Sequence, residues 1–146
     1  MLISKSCDYA LRALLFLAMK SGKEPIPLRQ IAEVQKIPSA LLSKILHALC
    51  AQGYLRSYRG IHGGYLLNKS ADVITIGEIV EQIDGPPTVF SCVTFEDICH
   101  LGGSCHLQTV FARAQEAMLE VLMGTTIAEC VSNKTCLPDP ISTTRA

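Results

Sequence analysis

Pro38-Ser-Ala-Leu-Leu-Ser-Lys-Ile-Leu-His-Ala-Leu-Cys50-Ala-Gln-Gly53, followed directly by Tyr54-Leu-Arg-Ser-Tyr58-Arg-Gly-Ile-His-Gly-Gly-Tyr65-Leu-Leu67, changes period halfway. In the first part Leu41, Leu42, Ile45, Leu46 and Leu49 recur at helical spacing and form an inner face. Ser39 lies near the cap. Ala40, Ser43, Lys44 and His47 form a small, polar and basic outer face. Gly53 stops the helix in the left-handed manner. Beyond it the period is two, which predicts strands over Tyr54–Tyr58 and Tyr65–Leu67. Between them lies Arg59-Gly60-Ile61-His62-Gly63-Gly64, whose glycines permit a tight hairpin turn.

Working outward, Leu28 to Gln35 forms a short helix carrying Leu28, Ile31 and Val34 on one side. Two short helices in tandem, the second with a basic outer face, follow helix-turn-helix logic. The hairpin adds a wing. Arg59, Gly60 and His62 at its tip, with Ser39, Ala40, Ser43, Lys44 and His47 on the helix, are the candidate DNA-binding residues. An arginine at such a tip suits a minor groove or a phosphate. Upstream, residues 8–20 read as a largely buried helix ended by Gly22, with Pro25 and Pro27 in a connector.

Downstream, Asp72 to Asp84 reads as a strand-like start and then a helix from about Ile76, broken by Gly85-Pro86-Pro87. Residues 88–104 read as irregular. A long helix covers about Cys105 to Met123, with a seam of Leu107, Val110, Phe111, Ala114, Met118, Val121 and Leu122. One long seam in a small chain packs best on a second chain. Thr126-Ile-Ala-Glu129 is a capping box opening a last short helix, and the tail from Asn133 reads as flexible. The fold class is mainly α with a small β-hairpin wing: a winged helix-turn-helix plus a long C-terminal dimerisation helix. The divisions are 1–84 for DNA binding, 85–104 for a cysteine loop, 105–132 for dimerisation and 133–146 for the tail.

The net charge of zero hides a split: residues 1–69 carry ten Lys/Arg against three Asp/Glu, and residues 70–146 carry three against ten. A basic half facing a polyanion explains that asymmetry. No apolar run spans a bilayer, and the start lacks the pattern of a signal peptide. Cytoplasm is the expected location, with no membrane partner. Nothing matches a hydrolase triad or a phosphate-binding glycine loop, so the chain does not read as an enzyme.

Seven cysteines are many for 146 residues, and in a reducing compartment metal or redox chemistry accounts for those that cluster. Cys92, Cys99 and Cys105 are spaced C-x6-C-x5-C within the irregular stretch. Thiolates bind soft metals and iron–sulfur clusters, and this spacing is unlike the paired cysteines of structural zinc. Candidates for a fourth ligand are His100, His106, Asp8, Glu96 and Asp97. Cys7 and Cys50 read as packing thiols, and Cys130 and Cys136 are left unassigned.

Cys7-Asp-Tyr-Ala-Leu-Arg-Ala-Leu14, Ile37-Pro-Ser-Ala-Leu-Leu-Ser-Lys-Ile-Leu46 and Arg59-Gly-Ile-His-Gly-Gly-Tyr65 resemble the bacterial winged-helix regulators that include IscR, NsrR, RirA and CymR. The resemblance covers about residues 1–130 and extends to the cysteine loop and long helix. It implies a homodimer paired through the long helix and reading pseudo-palindromic double-stranded operator DNA. Members with the cysteine trio carry a two-iron or four-iron cluster and sense nitric oxide, iron, redox state or cluster supply; members without it sense by other means. The resemblance therefore implies a cluster on Cys92, Cys99 and Cys105.

IscR-like members add a histidine three residues after the last cysteine, where this chain has Gln108. NsrR-like four-iron members can use an aspartate from the partner's N-terminal helix, and Asp8 matches that place. This favours a four-iron cluster over a two-iron one. A carboxylate is a hard, weak ligand for cluster iron, which suits a labile sensor. The alternative role of Asp8 is a carboxylate favoured by the dipole at a helix N-terminus. Rival functions are a cluster-free thiol-redox regulator, an iron–sulfur accessory protein and a redox enzyme, the last lacking an acid/base pair.

Overall fold

Ser4 opens the first helix because its Oγ accepts a hydrogen bond from the Cys7 N–H at 3.1 Å. Helix α1 (Lys5–Met19) therefore starts three residues earlier than the apolar pattern suggests and ends at Met19, with Lys20 as its C-cap, before Gly22. The computed structural model describes residues 3–20, 22, 24–88 and 105–132. The remaining elements are α2 (Leu28–Gln35), α3 (Ser39–Ala51), β1 (Leu55–Tyr58), β2 (Gly64–Leu67), α4 (Ile76–Asp84), α5 (Gln108–Gly124) and α6 (Ile127–Ser132).

Helices α2 and α3 are joined by a turn of three residues. Lys36 takes the left-handed conformation (φ 53°), and the Ile37 N–H reaches back to the Ala32 carbonyl at 3.0 Å. Pro38 stands at the α3 N-cap without a side-chain cap, and Ser39 is the first helical residue. Strands β1 and β2 pair antiparallel, with Leu55 opposite Leu67 and Tyr58 opposite Gly64. Ile26, expected in a plain connector, pairs with Tyr65 through two backbone bonds of 2.9 and 3.0 Å. The approach is so close that a Cβ on Gly64 would lie 2.3 Å from the Ile26 carbonyl oxygen. Prolines on both sides of Ile26 lack N–H groups, so the pairing stops after one residue.

The core joins α1, α2, α3 and α4, with Leu14, Ile31, Leu42, Leu46, Leu49, Ile74 and Ile79 fully buried. The strand-like start expected at Asp72 is a turn instead. Only Thr75 forms a bridge, to Thr126. Both threonines cap helices, and both capping boxes are present as Thr75–Glu78 and Thr126–Glu129. Helix α5 starts at Gln108 rather than Cys105: the Gln108 N–H on the Cys105 carbonyl at 3.2 Å makes a turn ahead of it, and Leu107 at the N-cap makes no side-chain cap bond. Its C-terminal end is fixed by the Ile76 N–H on the Thr125 carbonyl and the Ile127 N–H on the Ile74 carbonyl, both 2.9 Å. Helix α6 returns to α1, where Ile127 is fully buried. No helix among the described residues is long and apolar enough to cross a membrane.

Candidate functional site

The α3 periodicity separates two faces sharply. Leu42, Ile45, Leu46 and Leu49 are buried, while Ser39, Ala40, Ser43, Lys44 and His47 are exposed, together with Ala48 and Ala51. Small residues at 40, 43, 48 and 51 keep this face low, which lets a helix approach base edges closely. The hairpin tip adds Arg59, Gly60 and His62, all exposed. Among the described residues the ion pairs engage Arg12 and Arg29, and none of Lys44, Arg56 and Arg59 is paired with a carboxylate. Cations without internal partners are available to phosphates.

The second candidate centre falls only partly within the described residues. Cys92 and Cys99 lie outside the described residues, as do His100, Glu96, Asp97 and Cys136. Cys105 is a half-buried free thiol just before α5, followed by exposed His106. Asp8 lies in the first turn of α1 with its side chain 55% exposed. Among the described residues no three side chains of metal-binding type come together. The Cys105 thiol is of the donor type that holds iron–sulfur clusters, whereas the Asp8 carboxylate is a harder ligand. Cys7 is different. Burial, then the charges of Asp84 and Asp8, push its thiol up to about 11, so it stays protonated in the core. Burial also raises the Cys50 thiol, against an opposing hydrogen bond with Ser57.

Asp8 is connected to the helix-turn-helix. Arg12, one turn later, meets the Asp8 carboxylate at 3.4 Å and lies 5.7 Å from the Tyr9 ring centroid. The same guanidinium donates to the Gln35 backbone carbonyl and, at 3.5 Å, to the Gln35 Oε1. Gln35 is the last residue of α2, so Asp8 and the turn before α3 share one arginine. The i,i+4 spacing of Asp8 and Arg12 is visible in the sequence; the reach to Gln35 is not. At the same end of α1, Ser4 donates its N–H to Asp84 at 2.8 Å, joining the end of α4 to the start of α1.

Helix α5 buries no residue. Leu107 (58% exposed), Val110 (56%), Ala114, Ala117 and Val121 (66%) form an exposed stripe at alternating spacings of three and four. The expected seam shares four of these; Phe111, Met118 and Leu122 are half-buried.

The chain is similar to known proteins over nearly its whole length. The family described as "Rrf2: Iron-dependent Transcriptional regulator" matches residues 3–133. The HTH-type transcriptional regulator NsrR of Bacillus licheniformis is 32% identical over 135 residues, covering 92% of this chain and 94% of that protein. The HTH-type transcriptional regulator IscR of Erwinia tasmaniensis is 33% identical over 129 residues, covering 88% and 78%. Among solved structures, CymR, the global cysteine regulator of B. subtilis, superposes with a TM-score of 0.74 at 28% identity, covering 90% of this chain and 97% of that one.

Proposed function

The chain belongs to the Rrf2 family of transcriptional regulators, and from that premise we propose that it is a homodimeric operator-binding protein switched by an iron–sulfur cluster. The observation that carries the DNA-binding part is the exposure of all eight candidate residues on α3 and the hairpin tip, against an opposite face of α3 on which Leu42, Ile45, Leu46 and Leu49 are buried and Leu41 is half-buried. Helix α3 enters the major groove through Ser39, Ala40, Ser43, Lys44 and His47. Arg59 and His62 reach the adjacent minor groove. Lys44 and Arg59 add attachment that weakens steeply with salt. The heptad-like stripe on α5 pairs with the same stripe of a second copy, so the two winged units read a pseudo-palindrome. Residues 1–84 are the DNA-binding unit, 85–104 the cluster loop and 105–132 the dimerisation element. The protein works in the cytoplasm.

Cys92, Cys99 and Cys105 would hold the cluster, with Asp8 of the other copy as a fourth, weak ligand. The cluster, when bound, supplies reactivity toward nitric oxide, oxidants or iron shortage. The chain's own part is mechanical. A carboxylate engaged elsewhere no longer pairs with Arg12, and Arg12 also holds the end of α2. Engagement and release of Asp8 thereby favour different settings of α3, which couples the two sites. The likeness to a cysteine regulator favours a second reading, in which thiol oxidation without a cluster moves the same parts.

Native mass spectrometry and absorbance on anaerobically purified protein test the proposal. A coloured dimer with four irons and four sulfides per chain is expected, and Asp8→Ala is expected to make that cluster more labile. Two irons and two sulfides would indicate the smaller cluster. A colourless, metal-free dimer that resists reconstitution with iron and sulfide would leave the thiol switch.

A further inference from the structure

Ile61 stands at the tip of the hairpin and is 98% exposed. The Gly63 N–H closes the turn on the Gly60 carbonyl at 3.0 Å, which puts Ile61 and His62 at the two central positions. Gly60 takes φ +104°, and a Cβ on Gly63 would lie 2.4 Å from the Tyr58 carbonyl oxygen. The tip is therefore tightly set rather than a loose loop. Central turn positions are usually filled by Gly, Pro, Asn, Asp or Ser, each for a local reason that a β-branched isoleucine lacks. Ile61 also buries nothing within its own chain. Neither turn chemistry nor core packing selects an isoleucine here, whereas contact with another molecule would.

We propose that Ile61 is an apolar wedge that enters the minor groove beside the base pairs read by α3 and disfavours guanine there. The inference rests on the DNA-binding reading above. Arg59 and His62 on the same tip suit phosphates and groove edges, but an aliphatic side chain has nothing to gain from a phosphate oxygen. The apolar surfaces that a duplex offers a wing are the sugar walls and base edges of the minor groove, and inserted Ile or Leu side chains suit them. A groove about 6 Å wide admits one side chain at a tip. Guanine projects its N2 amino group into that space. Covering the donor with methyl groups leaves it without a hydrogen-bond partner. A·T pairs carry no such group there.

The test begins with selection from a random duplex DNA library by the full-length protein and by Ile61→Ser. Base pairs enriched as A·T by the wild type alone mark the wing site. Affinity is then measured by fluorescence anisotropy on the selected duplex with that pair as A·T, G·C or inosine·C. Inosine keeps the major-groove face of guanine but lacks the N2 amino group. For the wild type, G·C is expected to weaken binding about tenfold, and inosine·C to restore it. Ile61→Ala should bind the A·T duplex more weakly and treat all three pairs alike. Its salt dependence should match the wild type, because no phosphate contact is removed. A G·C penalty that persists in Ile61→Ala, or that inosine fails to relieve, overturns the wedge while operator binding stands. A wild-type protein that enriches no sequence and binds no duplex overturns the DNA-binding reading itself, and the wedge with it.

Discussion

The winged half and the long helix handle similar apolar side chains in opposite ways. In α1 to α4, Leu14, Leu42, Leu46, Leu49 and Ile79 are sealed from water. In α5, Val110 and Val121 face it, as does Leu107 at the N-cap, and no residue of the helix is buried. The difference lies in neighbours rather than in hydrophobicity. Helices α1 to α4 surround one another, whereas α5 packs on α4 and is tied by backbone bonds at its C-terminal end. A helix built this way is an arm, and its free stripe is the surface proposed above to pair with a second copy.

The largest effects separate the two regions most clearly. Leu46→Ala should cost about 2–5 kcal/mol, because a fully buried leucine leaves a cavity in a core that cannot close around it. Chemical denaturation should register this loss at any protein concentration. Val121→Asp should leave the winged core in place and weaken self-association by about 100-fold, read by sedimentation equilibrium, because two copies would bring carboxylates together on one stripe. The denaturation midpoint of the wild type should rise with protein concentration, and that of Val121→Asp should rise less. A Val121→Asp protein that remains fully dimeric would break the comparison, since the stripe would then not be the paired surface.

The same contrast governs how much could be read from the sequence. Period and punctuation reveal α2, α3, the hairpin and α4 with ends within a residue, because Pro38, Gly53 and Gly85-Pro86-Pro87 act on their immediate neighbours. The exposed face of α3 follows from the spacing of its leucines. Long-range features leave no such trace. The pairing of Ile26 with Tyr65 and the reach of Arg12 to Gln35 join residues far apart in the chain, and neither has a local signature. Ile61 was legible as a residue but not as a feature: only the closed turn shows how completely it is held out. Cys92 and Cys99 lie outside the described residues, so the cysteine trio still rests on its spacing and on the family resemblance.

The root of the arm gives a smaller effect. Gly77 is buried in the first turn of α4, and an added Cβ would lie 2.5 Å from the Met123 Sδ and 3.0 Å from the Met123 backbone nitrogen. The sulfur can swing aside, but the nitrogen moves only with α5. Gly77→Ala should therefore destabilise by about 1–3 kcal/mol, against a helix-propensity gain of at most about 1 kcal/mol. Adding Met123→Ala should recover only the part due to the sulfur. A net gain in thermal stability would mean that α5 is loosely seated on α4.

The smallest effect decides where one region ends and the other begins. Thr75 and Thr126 form similar capping boxes and face each other in one bridge, with cap bonds of 3.1 and 3.2 Å from the Glu78 and Glu129 N–H groups. Thr75 opens α4, which carries Ile79 and Val80 into the core, so Thr75→Ala should cost about 1 kcal/mol. Thr126 opens the six-residue α6, whose buried residue is Ile127, so Thr126→Ala should cost about 0.5 kcal/mol, mostly as local fraying. Amide hydrogen exchange at Glu78 and Glu129 separates local opening from global loss. Equal global costs would place α6 energetically within the winged half, through its packing on α1. The boundary between the regions would then fall inside α5, and the arm would be a helix anchored at its far end by the core it leaves.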